Sequence, residues 1–447
     1  MMRVHDVGTS QHSHQAGRER MRRMAADPAQ RRQRSAPQAA RFALEACSAA
    51  EGDQLALDMR GQRAGQLERV ALAPAEQAVR PEWRRRNMDD AHVFSAVLLT
   101  LGDPARLTGG YLFHRRLAEL APVHDARLEF ASVPDRPFPL AIVDGPRVLQ
   151  TVARQQPDVV VLDSIAACFL GPSLALRRPR WPMVGMLHQP PGGIDHGPLR
   201  TRVQALLDRL AYRRLARLLV ASESLAVELQ RGGQPSSRIR VVPPGRDVAT
   251  AIGPRVSDLR AGRRAAFLCV GNWVRRKGIL DLLQAFAALP NDAATLHLVG
   301  DTTTEPAYAA RVQTRLAERD LAGRVLVHGP LSVGQVAALY ATADAFVLPS
   351  LKEPYGTVYG EAMAFGLPVV GWRAGNLPYL ADHEREGLLV EPGDVAGLTS
   401  ALARLADDST LRARLGAAGR ERALGRPTWD EVAALFFGQL REVLTRT

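Results

Sequence analysis

Short apolar runs alternate with longer amphipathic segments along most of the chain after residue 88. Each run is rich in Val and Leu at successive positions, which is typical of strands buried on both faces of a parallel sheet. A first series of runs covers residues 93–100, 128–132, 159–163, 183–188, 218–222 and 239–242. A second series covers residues 266–270, 295–299, 325–328, 345–348, 368–371 and 388–390. Helical segments separate most of the runs, so the pattern predicts two doubly wound α/β domains.

The two series also set the predicted domain limits. An N-terminal domain is expected over residues 88–250 and a C-terminal domain over residues 251–427, followed by a helix within 428–447. The hinge is placed in residues 243–264, which are rich in Pro, Gly and Arg. Open α/β sheets bind ligands beyond the carboxyl ends of their strands, so two facing sheets predict a ligand cleft between them.

Residues 1–87 show no clear periodicity and are predicted to form a poorly ordered, Arg-rich extension. Met88 is a candidate for the true start of the protein. The extension carries sixteen Arg and ten acidic residues, a surplus of 6 within the formal net charge of +12. The remaining charge is spread over the chain without an aromatic-flanked basic stripe, so we do not expect a nucleic-acid partner.

Peripheral contact with an anionic membrane surface is the better hypothesis for the basic balance. Residues 199–219 place six Arg among Leu and Ala at helical spacing, a pattern that can rest on anionic lipid. The alternative is the solvated face of a helix packed on its sheet. No run approaches the ~18 consecutive apolar residues of a transmembrane helix.

The three cysteines are far apart and outside any Cys-x-x-Cys spacing. This argues against a disulfide framework or a structural zinc site and fits a reducing compartment. We therefore expect a cytoplasmic protein, with the inner face of the membrane as an alternative location.

The most informative segment lies between residues 348 and 368, where a strand ends, a loop carries Glu353 and a helix begins near Thr357. Backbone N–H groups of Gly356, Thr357 and Val358 would then lie at a helix N-terminus, which favours a phosphate. Glu353 and Glu361, eight residues apart, can bind separate hydroxyl-bearing parts of one ligand. The alternative is a solvated loop acid followed by an acid on the helix surface.

Another strand end carries three successive cations, Arg275, Arg276 and Lys277, after the turn at Gly271. Such a cluster suits a diphosphate, although a basic solvated loop is the alternative. Lys277 and Lys352 are the only lysines among 58 basic residues, and both lie in these two motifs. A compact ammonium is chemically distinct from a planar guanidinium, so the two lysines suggest sites that require a point-like positive charge; chance placement is the alternative.

Two further strand ends contribute polar or flexible residues. His188 follows the run at 183–187 and is predicted to face the cleft, with a structural histidine as the alternative. Gly109 and Gly110 follow the first strand and begin a helix, a geometry that suits an anion or an acceptor contact.

These segments resemble the retaining glycosyltransferases of family four, which have the GT-B fold. The resemblance rests on the Glu353-to-Glu361 segment and the Glu-Ala-Met-Ala-x-Gly-x-Pro pattern that begins at Glu361. Similar, too, are Val270-Gly271 with Lys277-Gly278, Leu298 to Asp301, His328 to Leu331 and Val242 to Gly245. It covers roughly residues 91–440 and is strongest in the C-terminal half.

The resemblance implies a role for each motif. Lys277 would bind the donor phosphates, Glu353 the hydroxyls of the donor sugar, Glu361 the ribose hydroxyls, and Leu331 would contact the base. His188 and the Gly109-Gly110 turn would lie on the acceptor side. Residues implied at the donor are Gly271, Asn272, Arg275, Arg276, Lys277, Leu331, Glu353, Tyr355, Gly356, Thr357, Val358 and Glu361. Those implied in catalysis are His188, Lys277 and Glu353, and the last helix would cross back to the N-terminal domain.

One departure from the family pattern concerns the phosphate site. The family usually has Arg two positions after the valine of the Val-Gly turn, and this chain has Asn272 there. Either Arg275 or Arg276 is expected to compensate. If neither does, the chain would be a weak or inactive nucleotide-sugar binding protein, which is the alternative function.

No Asp-x-Asp motif occurs in the chain, and no clustered set of His and carboxylate ligands is evident. We therefore expect metal-independent transfer without a cofactor, in which cations and a helix N-terminus stabilise the leaving diphosphate. The resemblance implies retention of configuration, with the leaving phosphate helping to deprotonate the acceptor. A nicotinamide-dependent dehydrogenase is disfavoured, because no Gly-x-Gly-x-x-Gly turn follows a strand.

Overall fold

A computed structural model describes residues 93–105, 109–246 and 258–446. The predictions for residues 1–87, for Met88 and for the middle of the linker lie outside these residues. Among the described helices, none is long and apolar enough to cross a bilayer.

The N-terminal half forms a parallel six-stranded sheet. Its strands are β1 (Phe94–Leu101), β2 (Ala126–Val133), β3 (Val159–Asp163), β4 (Met183–Leu187), β5 (Arg217–Val220) and β6 (Ile239–Val241), in the order β2-β1-β3-β4-β5-β6. Its helices are α1 (Gly109–Leu120), α2 (Gly145–Arg154), α3 (Ser164–Leu176), α4 (Pro198–Tyr212) and α5 (Glu223–Arg231). Leu98 in β1 lies between Phe130 of β2 and Val161 of β3. Successive residues of β1 from Ala96 to Leu99 are all buried, so the sheet centre is apolar on both faces.

The C-terminal half forms a second parallel six-stranded sheet. Its strands are β7 (Ala265–Val270), β8 (Ala294–Val299), β9 (Val325–Gly329), β10 (Ala345–Val347), β11 (Val369–Trp372) and β12 (Gly387–Val390), in the order β12-β11-β10-β7-β8-β9. Its helices are α6 (Ile279–Ala287), α7 (Pro306–Leu316), α8 (Val333–Tyr340), α9 (Thr357–Ala364), α10 (Leu377–Leu380), α11 (Val395–Asp407) and α12 (Ser409–Leu424). The central strands β7, β8, β10 and β11 are almost wholly buried, as their unbroken apolar runs predict.

The prediction of two doubly wound parallel sheets is confirmed. Every strand lies within two residues of its predicted run, and helices connect most of them. Side chains at the strand ends help to begin the helices: the Asp163 carboxylate accepts the N–H of Ile165 at the start of α3. The domain limits 88–250, 251–427 and 428–447 stay predictions.

Helix α13 (Trp429–Leu444) packs against β1 and α1 of the N-terminal half. Phe437 meets Phe94 edge to face, with ring centroids 6.3 Å apart. At its other end, the Glu442 carboxylate lies 2.7 Å from Nη1 of Arg217 in β5. A capping box between Thr428 and Glu431 begins the helix.

The predicted basic helix over residues 199–219 is wrong in its extent. Helix α4 ends at Tyr212, and Arg217 is buried in β5. Arg214 donates to the carbonyls of Leu174 and Ala175 at 2.9 Å each. Arg214 and Arg217 therefore stabilise the fold and are not available to a membrane. The prediction failed because periodicity alone does not show where a helix ends and a strand begins.

Candidate active site

The carboxyl ends of the two sheets face a common cleft of about 510 Å³. Its N-terminal wall includes Gly109, Gly110, Asp163, His188, Gln189 and Ile194. Its C-terminal wall includes Arg276, Glu353, Tyr355, Gly356, Thr357 and Glu361. The fold thus brings the predicted acceptor-side residues and much of the predicted donor set to one cavity.

The loop before α9 is held in one conformation by its neighbours. Gly356 is the residue before the helix and has φ 84°, a left-handed conformation that favours glycine. Asn376, which is buried, donates from Nδ2 to the carbonyl of Tyr355 at 2.8 Å, and its N–H donates to the carbonyl of Glu353 at 3.0 Å. Asn376 also accepts the N–H of Ser224 at 3.3 Å, so it links the donor loop to α5.

Glu353, which lines the cleft, forms an ion pair with Lys277, which is buried and does not line it. Nζ of Lys277 lies 2.5 Å from Oε2 of Glu353. The side chains are 9% and 14% exposed, so the pair is largely shielded from water. Nη1 of Arg276 lies 3.6 Å from the same carboxylate oxygen, which therefore has two cations beside it. The two predicted motifs meet at this carboxylate.

Glu361 is oriented by a buried tyrosine. The Tyr340 hydroxyl donates to Oε2 of Glu361 at 3.2 Å and lies 3.4 Å from the carbonyl of Val358. Burial, and then the charge of Glu361, raises the pKa of Tyr340 well above its usual value, so the hydroxyl stays a donor. The side chains of Leu331 and Val358 pack against the C-terminal core, and neither lines the cleft.

The remaining predicted donor residues lie outside the cleft wall. Arg275 is 71% exposed and lies 3.6 Å from Glu305. Oδ1 of Asn272 accepts the N–H of Asp301 at 3.2 Å, which ties the end of β7 to the end of β8. Gly271 is tightly packed there, since a Cβ built on Gly300 would lie 2.1 Å from its carbonyl oxygen.

Arg276, the other proposed substitute for the missing arginine, reaches across the cleft. Its Nε lies 3.0 Å from Oδ2 of Asp195, in the loop between β4 and α4. Its Nη1 donates to the carbonyl of Lys352 at 2.9 Å. The guanidinium thus joins the N-terminal wall to the donor loop.

His188 forms a chain of polar groups with two residues that the sequence motifs did not indicate. Nε2 of His188 lies 2.9 Å from Nε2 of His114, and Nδ1 of His114 lies 3.7 Å from Oδ2 of Asp163. Asp163 is fixed by the Thr100 hydroxyl at 2.8 Å. Gly110 packs directly on the His188 ring, because a Cβ there would lie 3.5 Å from Cδ2.

Burial determines the protonation of His114, His188 and Asp163. It lowers the pKa of both His114 and His188 to about 3, so both imidazoles are neutral at pH 7. Burial also raises the pKa of Asp163, although the charge of His188 and the hydrogen bonds from Thr100, Ile165 and Ser164 oppose the rise. A neutral imidazole donates from one ring nitrogen and accepts at the other, so the two rings can form a directed hydrogen-bond chain.

The same three side chains are the one candidate metal group within the part of the chain that the structure describes. His114, Asp163 and His188 each offer a ligand atom, and these atoms lie within 4.8 Å of one another. Imidazole and carboxylate suit zinc and similar ions. The expectation of no clustered His and carboxylate ligands is therefore wrong, because the fold joins residues that are far apart in the sequence. A metal held by these residues would compete with the hydrogen bond between the two imidazoles.

Two doubly wound sheets that face each other across a ligand cleft define the GT-B class of glycosyltransferase architecture. Family models match both halves of the chain. Residues 92–250 match the model described as Glycosyltransferase Family 4, and residues 255–422 match the one described as Glycosyl transferases group 1. The chain belongs to this family, as the sequence motifs indicated.

Known relatives and solved structures agree with this assignment. The chain is 34% identical over 215 residues to D-inositol 3-phosphate glycosyltransferase of Xylanimonas cellulosilytica, covering 45% of this chain and 51% of the relative. It is 28% identical over 222 residues to a GDP-mannose-dependent phosphatidylinositol monomannoside mannosyltransferase of Mycobacterium tuberculosis, covering 46% and 57%. The matches thus span about half the length of these curated relatives.

The structure of sucrose-phosphate synthase from Thermosynechococcus elongatus superposes with a TM-score of 0.68 at 22% identity. It covers 79% of this chain and 100% of that one. At 22% sequence identity, this structural similarity establishes the fold alone.

Proposed function

We propose that the chain moves a sugar from a nucleotide diphosphate donor to an acceptor, with retention of configuration and without a metal. The observation that carries the proposal is the shielded Lys277–Glu353 pair beside the N-terminus of α9, in a cleft between two Rossmann-like sheets. The family assignment supports the same reaction class.

In this proposal the donor binds both members of the Lys277–Glu353 ion pair. The diphosphate binds Lys277 and the free N–H groups at the start of α9, where the helix dipole favours negative charge. Lys277 then bridges phosphate and carboxylate, and the Glu353 oxygens accept hydrogen bonds from hydroxyls of the donor sugar. Glu361, held by Tyr340, accepts hydrogen bonds from the ribose.

Arg276 is a better substitute than Arg275 for the arginine that Asn272 replaces. Arg276 lines the cleft and is 19% exposed, whereas Arg275 points to Glu305 and is 71% exposed. To reach a phosphate, Arg276 would give up Asp195, so donor binding would break a bridge across the cleft.

The acceptor hydroxyl is proposed to lie beside His188. As the bond from the sugar C1 to the β-phosphate breaks, the acceptor oxygen bonds to C1 on the same face, and the leaving phosphate takes the acceptor proton. Configuration is thereby retained. An inverted product, determined by NMR, would contradict this route, and loss of activity in EDTA that Mg²⁺ restores would contradict metal independence.

The acceptor is proposed to be a sugar, a lipid or a small polyhydroxyl compound. The names of two relatives include D-inositol 3-phosphate and phosphatidylinositol monomannoside, both of which carry hydroxyls on a ring. One relative is named for GDP-mannose, so GDP is included among the nucleotides to be tested.

A donor screen by thermal shift tests the proposal. UDP, GDP, ADP and their sugars are added to the wild-type protein, to Glu361→Ala and to the control Glu119→Ala, whose carboxylate pairs with Arg116 at the surface. A ligand at 100 times its Kd should stabilise the fold by about 2.7 kcal/mol. One nucleotide should stabilise wild type and the control but not Glu361→Ala. A nucleotide that binds without any sugar transfer would favour the alternative of a non-catalytic binding protein.

We further propose peripheral contact with an anionic membrane through α4, which exposes an apolar stripe and buries two polar side chains beside Ala205, Ala211 and Tyr212. Its buried face holds the polar residues Gln204 and Asp208. Its outer face presents Leu199, Val203 and Leu206, which are 76%, 41% and 59% exposed. Exposed arginines flank this stripe at positions 200, 202, 209 and 213. An apolar stripe between cations suits an interface with anionic lipid.

Vesicle co-sedimentation tests this surface. Vesicles of phosphatidylcholine with phosphatidylglycerol should bind the wild-type protein, and vesicles of phosphatidylcholine alone should bind it less. The pair of changes Leu199→Ser and Leu206→Ser should weaken binding, whereas Leu435→Ser, at an exposed leucine on α13, should not. Equal binding to both vesicle types, or none to either, would contradict the contact. Self-association that the same changes abolish would assign the stripe to a second copy of the chain.

A further inference from the structure

Two arginines line the cleft outside every sequence motif. Arg246 follows β6 and the Pro-Pro-Gly turn, and Arg426 lies between α12 and α13. The N–H of Arg246 donates to the carbonyl of Pro427 at 2.9 Å, and its Nε donates to the carbonyl of Arg426 at 3.1 Å. This anchors the Arg246 backbone and leaves its two terminal nitrogens available for a ligand.

Arg426 lies against α9. A Cβ built on Gly360 would lie 2.7 Å from Nη1 of Arg426, so the missing side chain makes room for the guanidinium. Its Nη2 lies 3.5 Å from the carbonyl of Leu380, at the limit of a hydrogen bond. Burial, and then repulsion from Arg422, lowers the pKa of Arg426, although the neighbouring Tyr355 acts in the opposite direction.

Within the described residues, neither guanidinium has a carboxylate within 4.0 Å, whereas Arg276 and Arg422 each have two. The acidic residues that line the cleft already have partners: Asp163 accepts from Thr100, Glu353 from Lys277 and Glu361 from Tyr340.

Glu431 is the acid near Arg246, and its carboxylate accepts the Thr428 N–H at 2.7 Å. The carboxylate also accepts the Thr428 hydroxyl at 3.1 Å. These two hydrogen bonds, and to a lesser extent the charge of Arg246, lower the pKa of Glu431. The carboxylate remains beyond ion-pair distance of Arg246. The two cations therefore lack a compensating anion from the described part of the chain.

We propose that Arg246 and Arg426 form a phosphate-binding subsite, and that the acceptor carries the phosphate. Guanidinium groups bind phosphate through paired N–H donors, and a partly desolvated site strengthens such bonds. Lys277 and the N-terminus of α9 serve the donor diphosphate in the proposed function, on which this inference rests. Arg426 lies farther along α9, beside Gly360, so it addresses a second anion.

Titration calorimetry of the full chain tests the subsite with named probes. These are inorganic phosphate, D-inositol 3-phosphate, unphosphorylated inositol, UDP and GDP. The proteins are wild type, Arg246→Gln, Arg426→Gln, Arg426→Lys and the control Arg420→Gln, an exposed arginine of α12. Circular dichroism checks that each variant folds.

We expect inositol 3-phosphate to bind wild type more tightly than inositol does, and each Gln variant to weaken that binding about tenfold or more. Arg426→Lys should retain part of the affinity, and Arg420→Gln should retain all of it. Nucleotide affinity should change by less than about twofold in every variant. If a Gln variant does not fold, the comparison of phosphorylated with unphosphorylated probe on wild type still tests whether the acceptor phosphate is bound.

Two results would overturn the subsite. The first is that wild type shows no preference for either phosphate probe over inositol at millimolar concentration. Alternatively, the Gln variants could lose nucleotide affinity and keep inositol 3-phosphate affinity, which would assign the arginines to the donor. Absence of all nucleotide binding would instead contradict the proposed function itself, so the two failures are distinguishable.

Discussion

The Nε2 atoms of His188 and His114 lie 2.9 Å apart, so only one of these imidazoles carries a proton there. If the Nδ1 proton of His114 points toward Asp163, Nε2 of His114 must accept, and His188 must donate. Its Nδ1 is then an unprotonated acceptor. In that arrangement His114, which does not line the cleft, sets the tautomer of His188, which does.

We predict that His114→Phe lowers the transfer rate more than it lowers donor affinity. The phenyl ring keeps the volume but cannot accept the hydrogen bond from His188, whose tautomer is then no longer fixed. A fall in kcat of about tenfold or more is expected, because His188 would no longer hold the acceptor hydroxyl in one orientation, and misplacing a reacting group by about 1 Å can cost about 10²-fold. Steady-state kinetics measures kcat, and calorimetry measures nucleotide affinity.

The control is His383→Gln, at a largely exposed histidine of the C-terminal half. A fall in nucleotide affinity that matched the fall in kcat would point to general loss of structure. Unchanged kcat in His114→Phe would show that the tautomer of His188 does not matter.

The two lysines provide a matched pair of substitutions. Lys277→Gln removes the cation from Glu353 and from the donor phosphates, so the transfer rate should fall about 10²–10³-fold, as for loss of a preorganised charged donor. Lys352→Gln changes an exposed side chain in the same segment and should leave the rate within about twofold. A sugar-transfer assay with the nucleotide found in the donor screen measures both. Equal activity of the two variants would remove the ion pair from the mechanism.

The conformation of Gly356 should matter more than its size. Gly356→Ala places a Cβ at φ 84° and 2.8 Å from the Tyr359 ring, so the start of α9 must shift. We expect a loss of about 1–2 kcal/mol in unfolding free energy, with weaker nucleotide binding because the N–H groups at the helix start move. Gly334→Ala is the control: that glycine lies in α8 with no atom within 4 Å of an added Cβ, so alanine should be neutral or stabilising. Urea unfolding compares them, and an undiminished nucleotide affinity in Gly356→Ala would contradict the role of the helix start.

The sequence was most informative where one chain segment contains both the pattern and the chemistry. Strand β3 was predicted with its observed limits because Val159 to Leu162 form an unbroken apolar run before Asp163. Gly356, Glu353 and Glu361 lie within nine residues, so their common site followed from one motif. Lys277 joins them because β7 and β10 are neighbours in the sheet.

Long-range pairs were not predictable in this way. His114 is a lone histidine on α1, and 74 residues separate it from His188. Arg246 and Arg426 are 180 residues apart and follow no motif. The polar buried face of α4 was also missed, because periodicity shows that a helix is amphipathic without showing which face packs inward.

Asp208 should make stability depend on pH. It is buried under the loop that carries Asp195, its Oδ2 accepts the N–H of Gly192 at 2.8 Å, and its Oδ1 has no hydrogen-bond partner. Burial raises its pKa from 3.8 to about 7, against the hydrogen bond from Gly192 and the charge of Arg209. Between these values the folded chain holds a proton that the unfolded chain has lost, so the contribution of Asp208 to stability falls as the pH rises from about 4 to 7.

Asp208→Asn keeps the acceptor for Gly192 and cannot ionise. Relative to wild type, the variant should therefore be more stable at pH 8 than at pH 5, by up to about 3 kcal/mol, because about two pH units separate pH 5 from the folded pKa of about 7. Urea unfolding at both pH values measures the difference, with Asp430→Asn, at an exposed aspartate of α13, as the control. His114 and His188 have lowered pKa values and act in the opposite direction, so wild type alone loses stability as the pH falls from 6.5 toward 3. The comparison with Asp208→Asn cancels that effect. A difference between variant and wild type that is the same at pH 5 and pH 8 would show that Asp208 is ionised in the fold at both.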